Sequence, residues 1–355
     1  ALLENLQTNT ANRAAFNNLF GVMITETGAL GTPEREALLA AVRNLNYTPL
    51  GFRASLINAN DLLTSLQGTQ ANREAFNNLY GVAIPTSDAL LSTQSSARWA
   101  LFGVVETTGY DLSAFQISLI SANNLLTAIR HEDYPNRLAA FNSLYGVGIL
   151  EAASGALTFA QSAERQALVG GVGNTFLLEV VDFLGSLRIS DTKRNAFDYL
   201  YGTAIPSINS VTAVTAADRE ALFSAAQNND TTTDAFQTAL INAANLLESL
   251  RGHELSLTAF NDIYGAGITG DPLTVVQIQA LFSVVRTEFY NRVVFLAGLL
   301  QISADPSLRQ FNAANTWNFT HGAGVVVAVI DSGIDTTLAP LHNNIWRNLD
   351  EIEGN

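Results

Sequence analysis

Along the first three hundred residues, apolar side chains stand at helical spacing, and the whole pattern returns about every sixty residues. Its first instance runs from Ala11 to Gly21, where Phe16, Leu19 and Phe20 occupy i, i+3 and i+4 and so share one helical face. It recurs at Ala71 to Gly81, Asn136 to Gly146, Lys193 to Gly202 and Leu257 to Gly265. Phe16, Phe76, Phe141, Phe197 and Phe260 mark the register, each followed four residues later by Phe20, Tyr80, Tyr145, Tyr201 or Tyr264. Next to each second aromatic is a glycine (Gly21, Gly81, Gly146, Gly202, Gly265), and three residues further an isoleucine (Ile24, Ile84, Ile149, Ile205, Ile268). The pattern predicts a helix stopped by a left-handed glycine, with the isoleucine folded back on the helix end.

Second helices are predicted at Glu34 to Val42, Ala97 to Val105, Ala163 to Val169, Ala217 to Ala225 and Val276 to Val285. The third element is clearest where Phe52 to Leu66 matches Phe115 to Ile129 and Phe236 to Leu250. It closes on a double leucine: Leu62-Leu63, Leu125-Leu126, Leu246-Leu247 and Leu299-Leu300. Short amphipathic helices cannot bury their faces alone, so neighbours must stack. The expected fold is mainly α: an array of about five three-helix repeats over residues 1–312, each of about sixty residues. Leu2-Leu3-Glu4-Asn5-Leu6 matches Leu62-Leu63-Thr64-Ser65-Leu66, so residues 1–7 read as the tail of an incomplete upstream repeat. Near Phe311 the pattern fades, and Asp305-Pro306 with Asn312 to Asn318 marks a boundary rich in turn formers.

Composition narrows the function classes. A formal net charge of −14 leaves no basic patch for phosphates, which argues against nucleic acid. The uninterrupted apolar runs, such as Gly324 to Ile330, fall short of the ~20 residues of a membrane span. With no cysteine there are no disulfides, and no Cys/His cluster suggests a metal. Only 14% of residues are charged, and the surface is filled instead by Asn, Thr and Ser, which favours packing against other surfaces. An opening Ala1 without a signal-like stretch suggests a processed or excised chain.

The region beyond the array reads differently. Val325 to Ile330 is a hydrophobic run that delivers Asp331 into a Ser332-Gly333-Ile334 turn, an expected β-strand ending on a carboxylate. Trp317 and Gly322-Ala323-Gly324 precede it, and Asn344-Ile345-Trp346-Arg347-Asn348 follows. This segment, about residues 316–355, resembles the aspartate region of subtilisin-like serine proteases, the subtilase family. The resemblance implies that residues 313–355 are the truncated start of an α/β catalytic domain. It also implies that Asp331 is a triad aspartate, which would orient a histidine that activates a serine. The family's His-Gly-Thr-His and Gly-Thr-Ser motifs are absent, so no peptidase activity is expected of this chain alone.

His131, His253, His321 and His342 read as ordinary loop residues. Asp350-Glu351-Ile352-Glu353-Gly354-Asn355 resembles the opening of a calcium loop in some subtilases; with too few oxygens here, calcium is expected only in a longer parent protein, and no cofactor is expected. The aromatic stripe reads as core. Arg13, Arg73, Arg137 and Arg194 read as solvated or as bridges to acids such as Glu36, Glu164 and Asp218 in second helices. Asn46, Asn229 and Asn318 open weak glycosylation triplets.

Two functions follow as expectations. One is a non-catalytic amino-terminal repeat region of a secreted subtilisin-like protease precursor, acting in binding or assembly. The other is a self-assembling extracellular structural protein. In the second, the strand Val325 to Ile330 and the cut repeat mediate subunit contacts, since an unpaired apolar strand invites β-pairing.

Overall fold

The computed structural model describes residues 2–44, 49–150, 155–158, 160–287 and 290–304. The described residues form sixteen helices and no strand. A short α1 (Leu2–Thr8) is followed by α2 (Thr10–Phe20), α3 (Thr32–Asn44) and α4 (Pro49–Gly68). Next come α5 (Gln70–Tyr80), α6 (Ser95–Val105) and α7 (Leu112–Ile129), then α8 (Arg137–Tyr145), α9 (Ser162–Gly171) and α10 (Leu177–Ile189). The chain continues through α11 (Asp191–Tyr201), α12 (Ala216–Asn228) and α13 (Asp234–Arg251), and ends in α14 (Glu254–Tyr264), α15 (Val275–Val285) and α16 (Arg292–Ala304).

The helices fall into two compact units, divided between Ala244 and Asn245 inside α13. In the first unit the same wiring recurs. α2 packs on α4, α5 on α7, and α8 on α10. The later partner of each pair then meets the next two helices: α4 touches α5 and α6, α7 touches α8 and α9, and α10 touches α11 and α12. In the second unit α14 packs on α16.

The aromatic register forms the core. Phe16, Phe76, Phe141, Phe197 and Phe260 are each fully buried. Each rests against the aromatic one turn later, with ring centroids 4.2 Å apart for Phe16 and Phe20, 4.4 Å for Phe76 and Tyr80, and 4.3 Å for Phe197 and Tyr201. Such i, i+4 pairs each add about 0.5–1.5 kcal/mol beyond the area they bury. The helices then stop on left-handed glycines, with φ between 60° and 66° at Gly21, Gly81, Gly146, Gly202 and Gly265. Side chains close the amino ends of α2 and α11, where Asn9 and Ser190 accept an N–H of the first turn; Asp111 and Thr215 do the same for α7 and α12, and Thr274 with Gln277 forms a capping box on α15.

Two elements depart from the sequence reading. α10 has no double leucine at its close. Phe183-Leu184 stands thirteen residues before Phe197, the spacing that separates Leu63 from Phe76, so a ring replaces the first leucine of the signature. Phe183 is fully buried and meets Phe197 and Phe236 edge-on at 5.3 and 5.6 Å, so the substitution keeps the core contact while erasing the sequence signature. α7, meanwhile, is the one described helix long and apolar enough to cross a membrane, with a mean hydropathy of 1.3. Counting uninterrupted runs hides it because Gln116, Asn123 and Asn124 punctuate the helix. Its buried face (Leu119, Ala122, Leu126, Ile129) lies in the packing with α5, α8 and α9.

Candidate functional site

The residues that carry the protease resemblance, including Asp331, His321, His342 and Val325 to Ile330, lie outside the described residues, as do Phe311 and the expected boundary. His131 and His253 are described, and both are on the surface. His131 stands 3.5 Å from Asp133, and His253 precedes α14 without a side-chain cap bond. Among the described residues no three His, Cys, Asp or Glu side chains gather as a metal-binding group. What the chain does build is a joint that recurs in the first unit, between a helix end and the loop before the fourth helix after it.

Each joint starts with the residue after the register phenylalanine. Asn17 accepts the N–H of Ile24 at 2.9 Å and donates to the Ile24 carbonyl at 3.1 Å. Asn142 holds Ile149 the same way at 3.0 and 2.8 Å, and Asn261 holds Ile268 at 2.8 and 3.0 Å. Asn77 takes the Ile84 N–H at 2.9 Å. A primary amide offers a separate acceptor and donor, so one side chain holds both the N–H and the C=O of a single residue and fixes the chain leaving the glycine. Phe-Asn in register was visible in the sequence, but its partner seven residues on was not inferred from it. We expect Asn142→Ala to leave both buried backbone groups of Ile149 unpaired at a cost of about 1–3 kcal/mol. Hydrogen exchange at the Ile149 amide should speed about tenfold or more; an unchanged rate would show that the clamp contributes nothing.

Onto this cap docks the loop that precedes a later helix. Leu90 donates its N–H to the Asn18 carbonyl at 2.8 Å, Leu157 to Asn78 at 2.7 Å, and Val214 to Ser143 at 2.8 Å. Leu90, Leu157 and Val214 are all buried. An arginine of the following helix then closes the joint. Arg98 Nε donates to the Leu19 carbonyl at 2.6 Å, and its guanidinium lies 4.6 Å from the Phe20 ring centre. Arg165 donates to the Leu79 carbonyl at 3.4 Å and sits 4.9 Å over Tyr80; Arg219 sits 5.2 Å over Tyr145. These cations cap helix carboxyl ends, where orphan carbonyls and the negative end of the helix dipole favour them. Burial lowers the pKa of Arg98 and Arg165, and it raises that of Tyr80, which Arg165 pulls back in part.

The arginines singled out from the sequence take other partners than expected. Arg13 donates to the carbonyls of Leu6 and Gln7, and Arg73 to those of Leu66 and Gln67, so both cap the helix before their own. Arg137 makes a bidentate pair with Asp182 at 2.5 and 2.6 Å, and Arg194 pairs with Asp191 at 2.5 Å. Second-helix acids instead hold the loop after the glycine: Glu34 accepts from Met23, Glu164 from Gly148 and Asp218 from Ala204. Carbonyls freed at a helix end compete with acids for such side chains: Arg13 holds Gln7 and Glu26 both at 2.8 Å, while Arg137 and Arg194 pair with acids that lie outside the second helices.

Two grooves open on the first unit. The larger, about 440 Å³, is walled by Tyr80, Trp99, Val104, Phe115, Leu119 and Arg165 among others, an apolar trough with a single cation. The smaller, about 350 Å³, includes Tyr134, Arg137, Asp182, Ser186 and Gln237, with Arg137 stacked 3.5 Å over Tyr134. Hydrogen bonding to Asp182 raises the Arg137 pKa. No protein-family model, curated protein or solved structure matches the chain.

Proposed function

We propose that this chain is the non-catalytic, partner-binding region of an extracellular subtilisin-like serine protease. In this reading residues 1–312 are an array of about five three-helix repeats, and residues 313–355 open the catalytic domain with Asp331 as triad aspartate. The histidine and serine come from sequence outside these 355 residues, as does any calcium loop. The observation that carries the scaffold part is the joint repeated at Leu90–Asn18, Leu157–Asn78 and Val214–Ser143, with the same loop-to-helix-end bond each time. A scaffold locked by identical joints holds a long surface in shape, which suits recognition of a protein partner rather than turnover of a small substrate. The apolar trough beside Tyr80 and Trp99 is the natural seat on that surface.

The purified chain should take no label from a serine-directed fluorophosphonate, hydrolyse no casein, and run as a monomer in light scattering at micromolar concentration. Peptide-bond turnover that survives repurification would overturn the non-catalytic reading. Growth of larger species with concentration would favour the self-assembling structural protein, with Val325 to Ile330 as the pairing strand.

A further inference from the structure

The loop between α11 and α12 differs chemically from its counterparts. Where Asn17, Asn77, Asn142 and Asn261 serve the other helix ends, here stands Asp198. Its Oδ1 accepts the N–H of Ile205 at 3.0 Å and the hydroxyl of Thr203 at 2.7 Å. A carboxylate has no hydrogen to offer the Ile205 carbonyl, so half of the clamp is missing. From the other side, Asp218 of α12 accepts the neighbouring N–H, that of Ala204, at 3.3 Å. Two carboxylates thus hold consecutive peptides of one short loop. Asp218 is 5% exposed, and its Oδ2 is buried without a hydrogen-bond partner. A buried, unpaired carboxylate oxygen beside a second carboxylate is costly unless a proton or a cation reaches it.

Among the described residues no cation donates to Asp218 Oδ2, although Arg194 Nη1 and Arg219 Nε are themselves buried without a hydrogen-bond partner. Arg194 on α11 pairs with Asp191 at 2.5 Å. Arg219, next to Asp218 on α12, lies over the Tyr145 ring of α8. From α10, Arg188 donates to the carbonyls of Ala139, Ser207, Ile208 and Ser210. Lys193 binds the Gln237 amide oxygen of α13.

We propose that Asp198 takes up a proton and, held against Asp218, forms a clasp that tightens the α11–α12 loop as the pH falls. The proton comes from solvent and rides on Asp198, giving the buried Asp218 oxygen a donor. Burial, then the charge of Asp218, favours the neutral form of Asp198, against the hydrogen bonds from Thr203 and Ile205 and the charge of Arg194. Because folded Asp198 holds its proton more tightly than the unfolded chain does, the clasp is complete at low pH and is lost as the pH rises through the raised pKa.

Hydrogen exchange in the full chain tests this, with Ile149 on the Asn142 clamp as the internal control. After correction for intrinsic exchange, Ile205 protection should rise about five- to tenfold between pH 8 and pH 5, the worth of one ordinary hydrogen bond, while Ile149 stays level. Asp198→Asn should hold Ile205 at the high value throughout. Asp218→Asn should move the midpoint to lower pH, and it supplies the test if the first variant folds poorly. Parallel pH behaviour of Ile205 and Ile149 in the native chain, or a midpoint that Asp218→Asn leaves in place, would overturn the proposal.

Discussion

Gly81→Ala should destabilise the protein by about 3–5 kcal/mol, while the same change at Gly265 should cost only about 1–2 kcal/mol. Both glycines end a helix with the same register and nearly the same backbone, φ 63° and φ 60°. The left-handed conformation alone accounts for the smaller figure. At Gly81 a β-carbon would also lie 2.1 Å from the Leu157 carbonyl oxygen and 3.0 Å from Thr158 Cα, both backbone atoms. The docked loop would have to lift, breaking the Leu157–Asn78 hydrogen bond and exposing a leucine now buried. At Gly265 a β-carbon meets nothing within 4 Å among the described residues. Gly21 repeats the close approach, with the Leu90 oxygen 2.2 Å from the added carbon, and should behave like Gly81. Urea denaturation of the two variants side by side decides the matter. Equal losses would mean that the docked loop contributes nothing to the joint.

The second large effect is expected at Arg98. Arg98→Ala should cost about 2–4 kcal/mol, from two hydrogen bonds to a charged group and a desolvated cation–π contact. Its side chain is 4% exposed, donates to Leu19 and Leu91, and covers the Phe20 ring. Removing it leaves the Leu19 carbonyl without that bond and uncovers the Phe20 ring, which also packs on Phe16, Trp99 and Phe102. Arg35 stands in the same sequence register on α3, is exposed and, among the described residues, its side chain reaches only Thr32. Arg35→Ala should therefore change stability by less than about 0.5 kcal/mol. Calorimetry of both variants separates a joint residue from a surface one, and a loss at Arg35 as large as at Arg98 would defeat the assignment.

These two predictions mark how far the chain could be read unaided. Spacing is a local property, and local physics decides helices. Thus the Phe–aromatic–Gly–Ile register located the five helix ends, and the second helices fall where their apolar faces placed them. α10 escaped because packing is indifferent to whether a leucine or Phe183 fills the same volume, whereas a sequence signature is not. The arginines were visible as residues but not as contacts. Their partners lie up to 86 positions away, as for Arg165 and Leu79, and charge counting favours acids over carbonyls.

What the sequence determined by itself is therefore the helical class, the register of the aromatic core and the stop at each glycine. These follow from 3.6-residue periodicity and the steric cost of a β-carbon at positive φ. Tertiary structure alone decided which loop covers which glycine, which arginine caps which helix, and that Asp198 and Asp218 hold neighbouring N–H groups of one loop. Each of those depends on backbone carbonyls and N–H groups, which every residue carries alike, so no pattern of side chains along the chain announces them.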